Sequence, residues 1–273
     1  MRKKICFVIL SRANYGSIKS LMLEVKKNKK FIIQIVVGGA GILKKFGNVS
    51  NVIKKDGFKI NSYLDFQSST LLLETMSSTA GNGLIKISEV FKNLKPDFVF
   101  TVGDRYETIA TALAAVFHNI PLCHTMGGER TGTIDESIRH SISKLAHIHF
   151  VSNVDAKKRL IKMGEDKNLV FNVGCPRIDT VKKILKNYSR KSLINELNKA
   201  GVGAKINYED PLIIFSQHPV TSEFENSKFF FMETLKAITM LNKKYKIIYL
   251  WPNSDPGSDI IAGIMRNMRE KEN

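Results

Sequence analysis

The sequence predicts an α/β protein of two doubly wound parallel-sheet domains, the second of them incomplete. Three observations carry this. Short unbroken apolar runs recur along the 273 residues, each closed by a glycine or a polar turn. Amphipathic stretches of helical spacing fill the gaps between them. The runs do not alternate in polarity, which marks strands buried on both faces by helices. At roughly 100–200 residues per domain, the length allows one large domain or two small ones.

The first strand is read over residues 4–10 (KICFVIL). Its basic start and short apolar core would also open a signal peptide, but Arg12 interrupts any longer apolar region. Tyr15 to Lys27 places Ile18, Leu21, Met22 and Val25 at helical spacing. Phe31 to Val37 is a second strand closed by Gly38-Gly39, and 58–65 a short third. Thr70 to Leu94 reads as a helix, with Gly81 and Gly83 as candidate breaks. Asp97 to Val102 is a strand, Glu107 to Phe117 an alanine-rich helix and Ile120 to His124 a short strand. Ser137 to Leu145 is a helix and His147 to Ser152 a strand. Leu169 to Val173 is a further strand, and Gly174-Cys175-Pro176 a hinge that closes a first domain over 1–176.

The remainder, 177–273, is the second domain. Residues 177–207 are lysine-rich, helical in part, and expected to carry the linker. Pro211 to Ser216 and Lys246 to Trp251 are strands, a helix runs over about 226–242, and a last helix follows Ser258. Two or three strands make a thin sheet with poorly covered faces. The expectation is therefore a domain that is truncated, or completed by something outside the chain.

Composition narrows the function. Lys and Arg number 42 against 25 Asp and Glu, a formal charge of +17. That suits nucleic acid, phosphorylated metabolites or plain solubility. The lysines fall in scattered pairs such as Lys26-Lys27 and Lys54-Lys55, apart from aromatics and from any nucleic-acid motif, so a nucleic-acid partner is not expected. No apolar run approaches the roughly 20 residues of a membrane span. Cys6, Cys123 and Cys175 are odd in number, far apart and free of CxxC spacing, which suits a reduced, cytoplasmic protein without a cysteine metal site. HExxH, Walker and GxGxxG patterns are absent.

Chemistry-bearing residues collect at expected strand ends, where open α/β sheets bind ligands. Ser11-Arg12-Ala13-Asn14 follows strand one, either as an anion site at a helix start or as a polar turn. Gly103-Asp104-Arg105 follows the strand at 97–102; the pair suits substrate binding or proton transfer, or is an N-cap with a surface arginine. The densest stretch is 124–140, with Gly127-Gly128 free to approach a ligand and Glu129, Arg130, Asp135, Glu136, Arg139 and His140 crowded together. One of its acids also reads as a helix cap. His147 and His149 are read as structural. In the second half, His218 and Asn253 follow the two strands.

Six segments together resemble the UDP-N-acetylglucosamine 2-epimerase family, in its hydrolysing branch of sialic and legionaminic acid pathways. They are SRANYGSIKSLM (11–22), VGDRYET (102–108), HTMGGERTGTIDESIRHSISKLAHIHF (124–150), NVGCPRID (172–179), SQHPVTSE (216–223) and WPNSDPGSDI (251–260). The resemblance implies a GT-B-like fold that holds a UDP-sugar. The implied reaction is elimination of UDP followed by addition of water, releasing an N-acetylmannosamine-type sugar. No metal or other cofactor is implied, and a homo-oligomer, dimer or tetramer, is.

By the same resemblance Asp104 and Asp135 match catalytic acids, and Arg12, Arg105, His218 and Asn253 match substrate-binding positions. Two positions depart from the pattern. Met126 stands where the sialic-acid enzymes carry a glutamate, and a thioether transfers no proton; Glu129 is the nearby acid that would take over. Asn14 stands where an acid is usual. Family members also continue into a serine-rich loop that this chain lacks. A truncated, catalytically impaired homologue that at most binds UDP or a UDP-sugar is the competing expectation.

Overall fold

The structure is a computed structural model that describes residues 1–242 and 244–271; Lys243, Glu272 and Asn273 lie outside the described residues. The chain forms two compact units, 1–182 and 183–273. Residues 177–182 fall with the first unit. There Arg177 donates from Nε to Ser17 Oγ at 2.6 Å, and the Ser20 hydroxyl donates to the Pro176 carbonyl at 3.2 Å.

The first unit opens with β1 (Lys3–Ile9), α1 (Arg12–Lys27) and β2 (Phe31–Gly38). After two short 3-10 turns come α2 (Val49–Lys55) and β3 (Ser62–Leu64). Then follow α3 (Leu73–Leu94), β4 (Phe98–Val102), α4 (Thr108–Phe117), β5 (Leu122–Thr125), α5 (Ile134–Leu145), β6 (Ile148–Val151), α6 (Val154–Lys162) and β7 (Val170–Asn172). The seven strands form one sheet in the order β3-β2-β1-β4-β5-β6-β7, every adjacent pair parallel.

The run KICFVIL explains why both faces are covered. Ile5, Phe7 and Ile9 point into a core closed by Ile18, Met22 and Val25 of α1 and Ile53 of α2. Cys6, Val8 and Leu10 point the other way, against Ile87 and Phe91 of α3 and Ala110 of α4. On the first face Phe7, Phe100, Phe150 and Phe171 stack in sequence, with centroids 5.1, 5.7 and 5.8 Å apart. Cys123 on β5 belongs to the same core as a small apolar filler.

Several elements differ from expectation. The strand expected over 58–65 shortens to Ser62–Leu64. The Asn61 carboxamide oxygen and main-chain N–H instead bond the Ile35 main chain, both at 2.8 Å. Gly81 and Gly83 do not break α3, which is one 22-residue helix. Helices α2 and α6 were not anticipated. The lysines are also less separate from aromatics than the sequence suggests, since Lys26 lies over Phe58 at 5.0 Å and Lys54 over Tyr63 at 5.3 Å.

Helix α7 (Pro176–Lys186) crosses the division, and the second unit holds α8 (Arg190–Ala200), β8 (Leu212–Phe215), α9 (Ser227–Leu241), β9 (Lys246–Tyr249) and α10 (Ser258–Lys271). Strands β8 and β9 pair in parallel as a two-stranded sheet. Phe215, Phe231, Leu235 and Ile261 form its small core, while Ile214 on the opposite face is 67% exposed.

Candidate active site

Strand order places the site. β1 is followed in space by β2 on one side and β4 on the other, so the connections from the carboxyl ends of β1 and β4 diverge and leave a crevice. Asn14 builds its floor. Its side-chain oxygen accepts the Leu10 N–H at 3.1 Å, and its amide donates to the Val102 carbonyl at 3.1 Å. The carboxamide thus ties the ends of β1 and β4 together. A carboxylate at this position would lack the donor for Val102.

A small cavity of about 70 Å³ opens here, lined by Asp104, Arg105, Met126, Glu129, Arg139 and Arg177 together with the start of α1. Arg139 organises it. The residue is 2% exposed, and its guanidinium pairs with the Asp104 carboxylate and donates from Nη1 to the Glu129 carbonyl at 2.8 Å. Burial lowers its pKa from the ordinary value. Arg105 donates from Nε to Glu107 at 2.6 Å, and Glu107 is wholly buried. Arg177 lines the same cavity and donates to Ser17 Oγ and the Ala13 carbonyl, an arginine placed to suit an anionic substrate.

The segment after β5 is held from several sides. Met126 takes a left-handed conformation, φ 62°, and its N–H donates to Phe150 O at 2.9 Å. Arg159 on α6 bonds the Gly128 carbonyl. The Glu136 carboxylate accepts the N–H groups of Gly132 and Thr131, both at 2.8 Å, and these bonds hold its pKa below the usual carboxylate value. Glu136 is therefore the loop-closing acid. The two glycines make room for protein. A Cβ on Gly127 would fall 2.7 Å from Ser143 Oγ, and one on Gly128 would fall 2.6 Å from Ala156 O.

The expected site residues separate into groups. Asp104, Arg105 and Glu129 line one cavity. Asp135 is half-buried in the first turn of α5 and is not among the lining residues. Arg12 begins α1 and is exposed, its side chain over Gly47. His218 and Asn253 meet in the second unit, where Asn253 N–H donates to His218 Nδ1 at 3.2 Å, and His218 lines a separate cavity of about 290 Å³.

Sequence reasoning named Arg139 only among the charges crowding 124–140 and gave no role to it, to Arg177 or to His124. Arg139 carried a readable signal: it falls three residues before Ile142, within the apolar stripe of its helix. Arg177 carried none, because its partner Ser17 is 160 residues away.

The chain matches the model of the family described as UDP-N-acetylglucosamine 2-epimerase over residues 23–272. It is 35% identical over 266 residues to the UDP-N,N'-diacetylbacillosamine 2-epimerase (hydrolyzing) of Legionella pneumophila, covering 97% of this chain and 68% of that one. The chain belongs to the UDP-N-acetylglucosamine 2-epimerase family. A second relative, the GDP/UDP-N,N'-diacetylbacillosamine 2-epimerase (hydrolyzing) of Campylobacter jejuni, is 33% identical over 273 residues, with 99% and 68% covered. Among solved structures, the Neisseria meningitidis UDP-GlcNAc 2-epimerase bound to UDP-GlcNAc superposes with a TM-score of 0.77 at 19% identity, covering 93% of this chain and 67% of that one.

The GT-B-like fold expected from the sequence is thus the fold of the family's solved members. The chain spans about two thirds of the length of these relatives. The relatives carry the name of the hydrolysing 2-epimerase reaction, and nothing in them favours the impaired alternative over it. Among the described residues no group of three His, Cys, Asp or Glu is placed to hold a metal ion, and no helix is long and apolar enough to cross a membrane.

Proposed function

We propose that the chain is a hydrolysing 2-epimerase that converts a UDP-N-acetylglucosamine-type sugar to UDP and an N-acetylmannosamine-type sugar. The observation that carries this is the placement of Asp104, Glu129 and three arginines in one cavity at the switch point of the sheet. A base removes the proton from C2, the C1–O bond breaks, and UDP leaves with the electron pair. The resulting glycal takes a hydroxyl at C1 from water and a proton at C2 on the opposite face. Two proton transfers on opposite faces need two positioned groups.

Asp104, paired with Arg139, is the base, and Glu129 serves the water step in place of the acid that Met126 lacks. Asp135 is retained as a third acid one helical turn before Arg139. Arg12, Arg105, His218 and Asn253 are assigned to the nucleotide and sugar. The protein is further proposed to act in the cytoplasm as a dimer or tetramer, which sedimentation would read directly.

The test is turnover with UDP-N-acetylglucosamine and with UDP-N,N'-diacetylbacillosamine in deuterium oxide. Released UDP and a free 2-epimer carrying deuterium at C2 are expected. Asp104→Asn should lower kcat by about 10²–10⁴-fold. UDP binding with no turnover of either sugar would instead identify a binding remnant.

A further inference from the structure

We propose that His124 is a positioning residue that fixes Asp104 against Arg139 through a closed ring of contacts; this rests on the role just given to Asp104. His124 lies on β5 with no exposed surface. One ring nitrogen, Nε2, is 2.8 Å from the Gly103 carbonyl, in the residue directly before Asp104. The other, Nδ1, is 3.1 Å from Ser143 Oγ, one turn beyond Arg139 on α5. Arg139 closes the ring on Asp104.

The chemistry of the two ends assigns the proton. A carbonyl oxygen only accepts, so Nε2 carries the hydrogen, and Nδ1 shares the Ser143 hydroxyl with the Arg139 carbonyl, which lies 3.0 Å from the same Oγ. Burial holds the imidazole neutral, with a pKa lowered to about 4. Gly103 has a positive φ of 74°; its N–H donates to the Thr125 carbonyl at 3.1 Å and its carbonyl takes the His124 bond, so β5 holds both sides of the turn before Asp104. The absence of a side chain at Gly127 leaves the space that the ring and the Ser143 hydroxyl occupy. The imidazole therefore spans the end of β4 and the helix bearing Arg139, and sets where the Asp104 carboxylate points.

Two substitutions separate the two ends of this strut. In His124→Gln the side-chain amide reaches the Nε2 position and still donates to Gly103. In His124→Asn the oxygen takes the Nδ1 position and still accepts from Ser143, while the Gly103 bond is lost. His124→Gln should retain kcat within about fivefold, and His124→Asn should lose about 100-fold in kcat, as a carboxylate displaced by an ångström would. KM and Tm should be similar in the two variants. Equal losses in both, or a loss confined to KM, would overturn the proposal.

Should either variant fail to fold, Ser143→Ala serves. Removing the hydroxyl releases the Nδ1 end of the ring and leaves the Gly103 bond, so kcat should stay within about fivefold, as in His124→Gln; a loss near 100-fold would count against the strut. Independently of turnover, nitrogen NMR of the wild-type ring should place the proton on Nε2. A proton on Nδ1 would refute the ring geometry, whereas a wild type silent toward both sugars would refute the assigned reaction instead.

Discussion

At the residue scale, His124 makes stability depend on pH in a definite direction. Its pKa is about 4 in the folded chain and near 6.5 once exposed. Between those values the unfolded chain binds the extra proton, so stability rises with pH and is lost as pH falls from 6.5 toward 4. The loss from this group approaches about 3 kcal/mol at the lower end. Burial lowers the pKa of His149 and His140 too, which adds in the same direction. Urea unfolding between pH 7 and pH 4.5 should show a smaller drop for His124→Gln than for the wild type; parallel drops would contradict the assignment. The sequence marked this stretch as a site because charge crowds there. It did not reveal that His124 is internal, since a histidine between a buried strand and a charged loop reads the same whether it faces ligand or helix. Asn14 was legible only as a departure from an acid, and its meaning came from the two strand ends it joins.

At the element scale, helix α3 shows how one residue type answers to two environments. A Cβ on Gly81 meets nothing within 4 Å, so Gly81→Ala should stabilise by about 0.5–1 kcal/mol through helix propensity. A Cβ on Gly83 would lie 3.0 Å from Phe66 and 3.3 Å from Ala110, where α3 packs against α4. Gly83→Ala should lower stability by about 1–3 kcal/mol. Thermal unfolding of the two variants gives shifts of opposite sign if this contrast is right. The same packing explains why the helix survives both glycines despite the breaks the sequence suggested. The long elements were readable because their apolar stripes are long: β1 and α1 each bury five residues or more. Helix α6 was missed because it buries only Ala156 and Leu160, too few to set a period. Helix α2 is seven residues long and met the same limit.

At the scale of the whole molecule, the two units differ in what they bury. The first encloses its two large cores, one on each side of seven strands, and among the described residues the second has one small core on one side of two strands. An exposed two-stranded ladder opens readily. Amide exchange in β8 and β9 should therefore run at least about a hundredfold faster than in β1 and β4. Uniform protection across all four strands would show that the second unit is held by more than its own core.

The interior position of β1 also sets a timetable for synthesis. β1 leaves the ribosome well before β4, since Ile5 pairs with Phe98, 93 residues later. At about 5–20 residues per second, KICFVIL waits roughly 5–20 s with one edge unfilled. During that interval it is an apolar strand open to chaperones and to neighbouring nascent chains, and Arg2, Lys3 and Lys4 at its start are the charges that keep such a strand from pairing elsewhere.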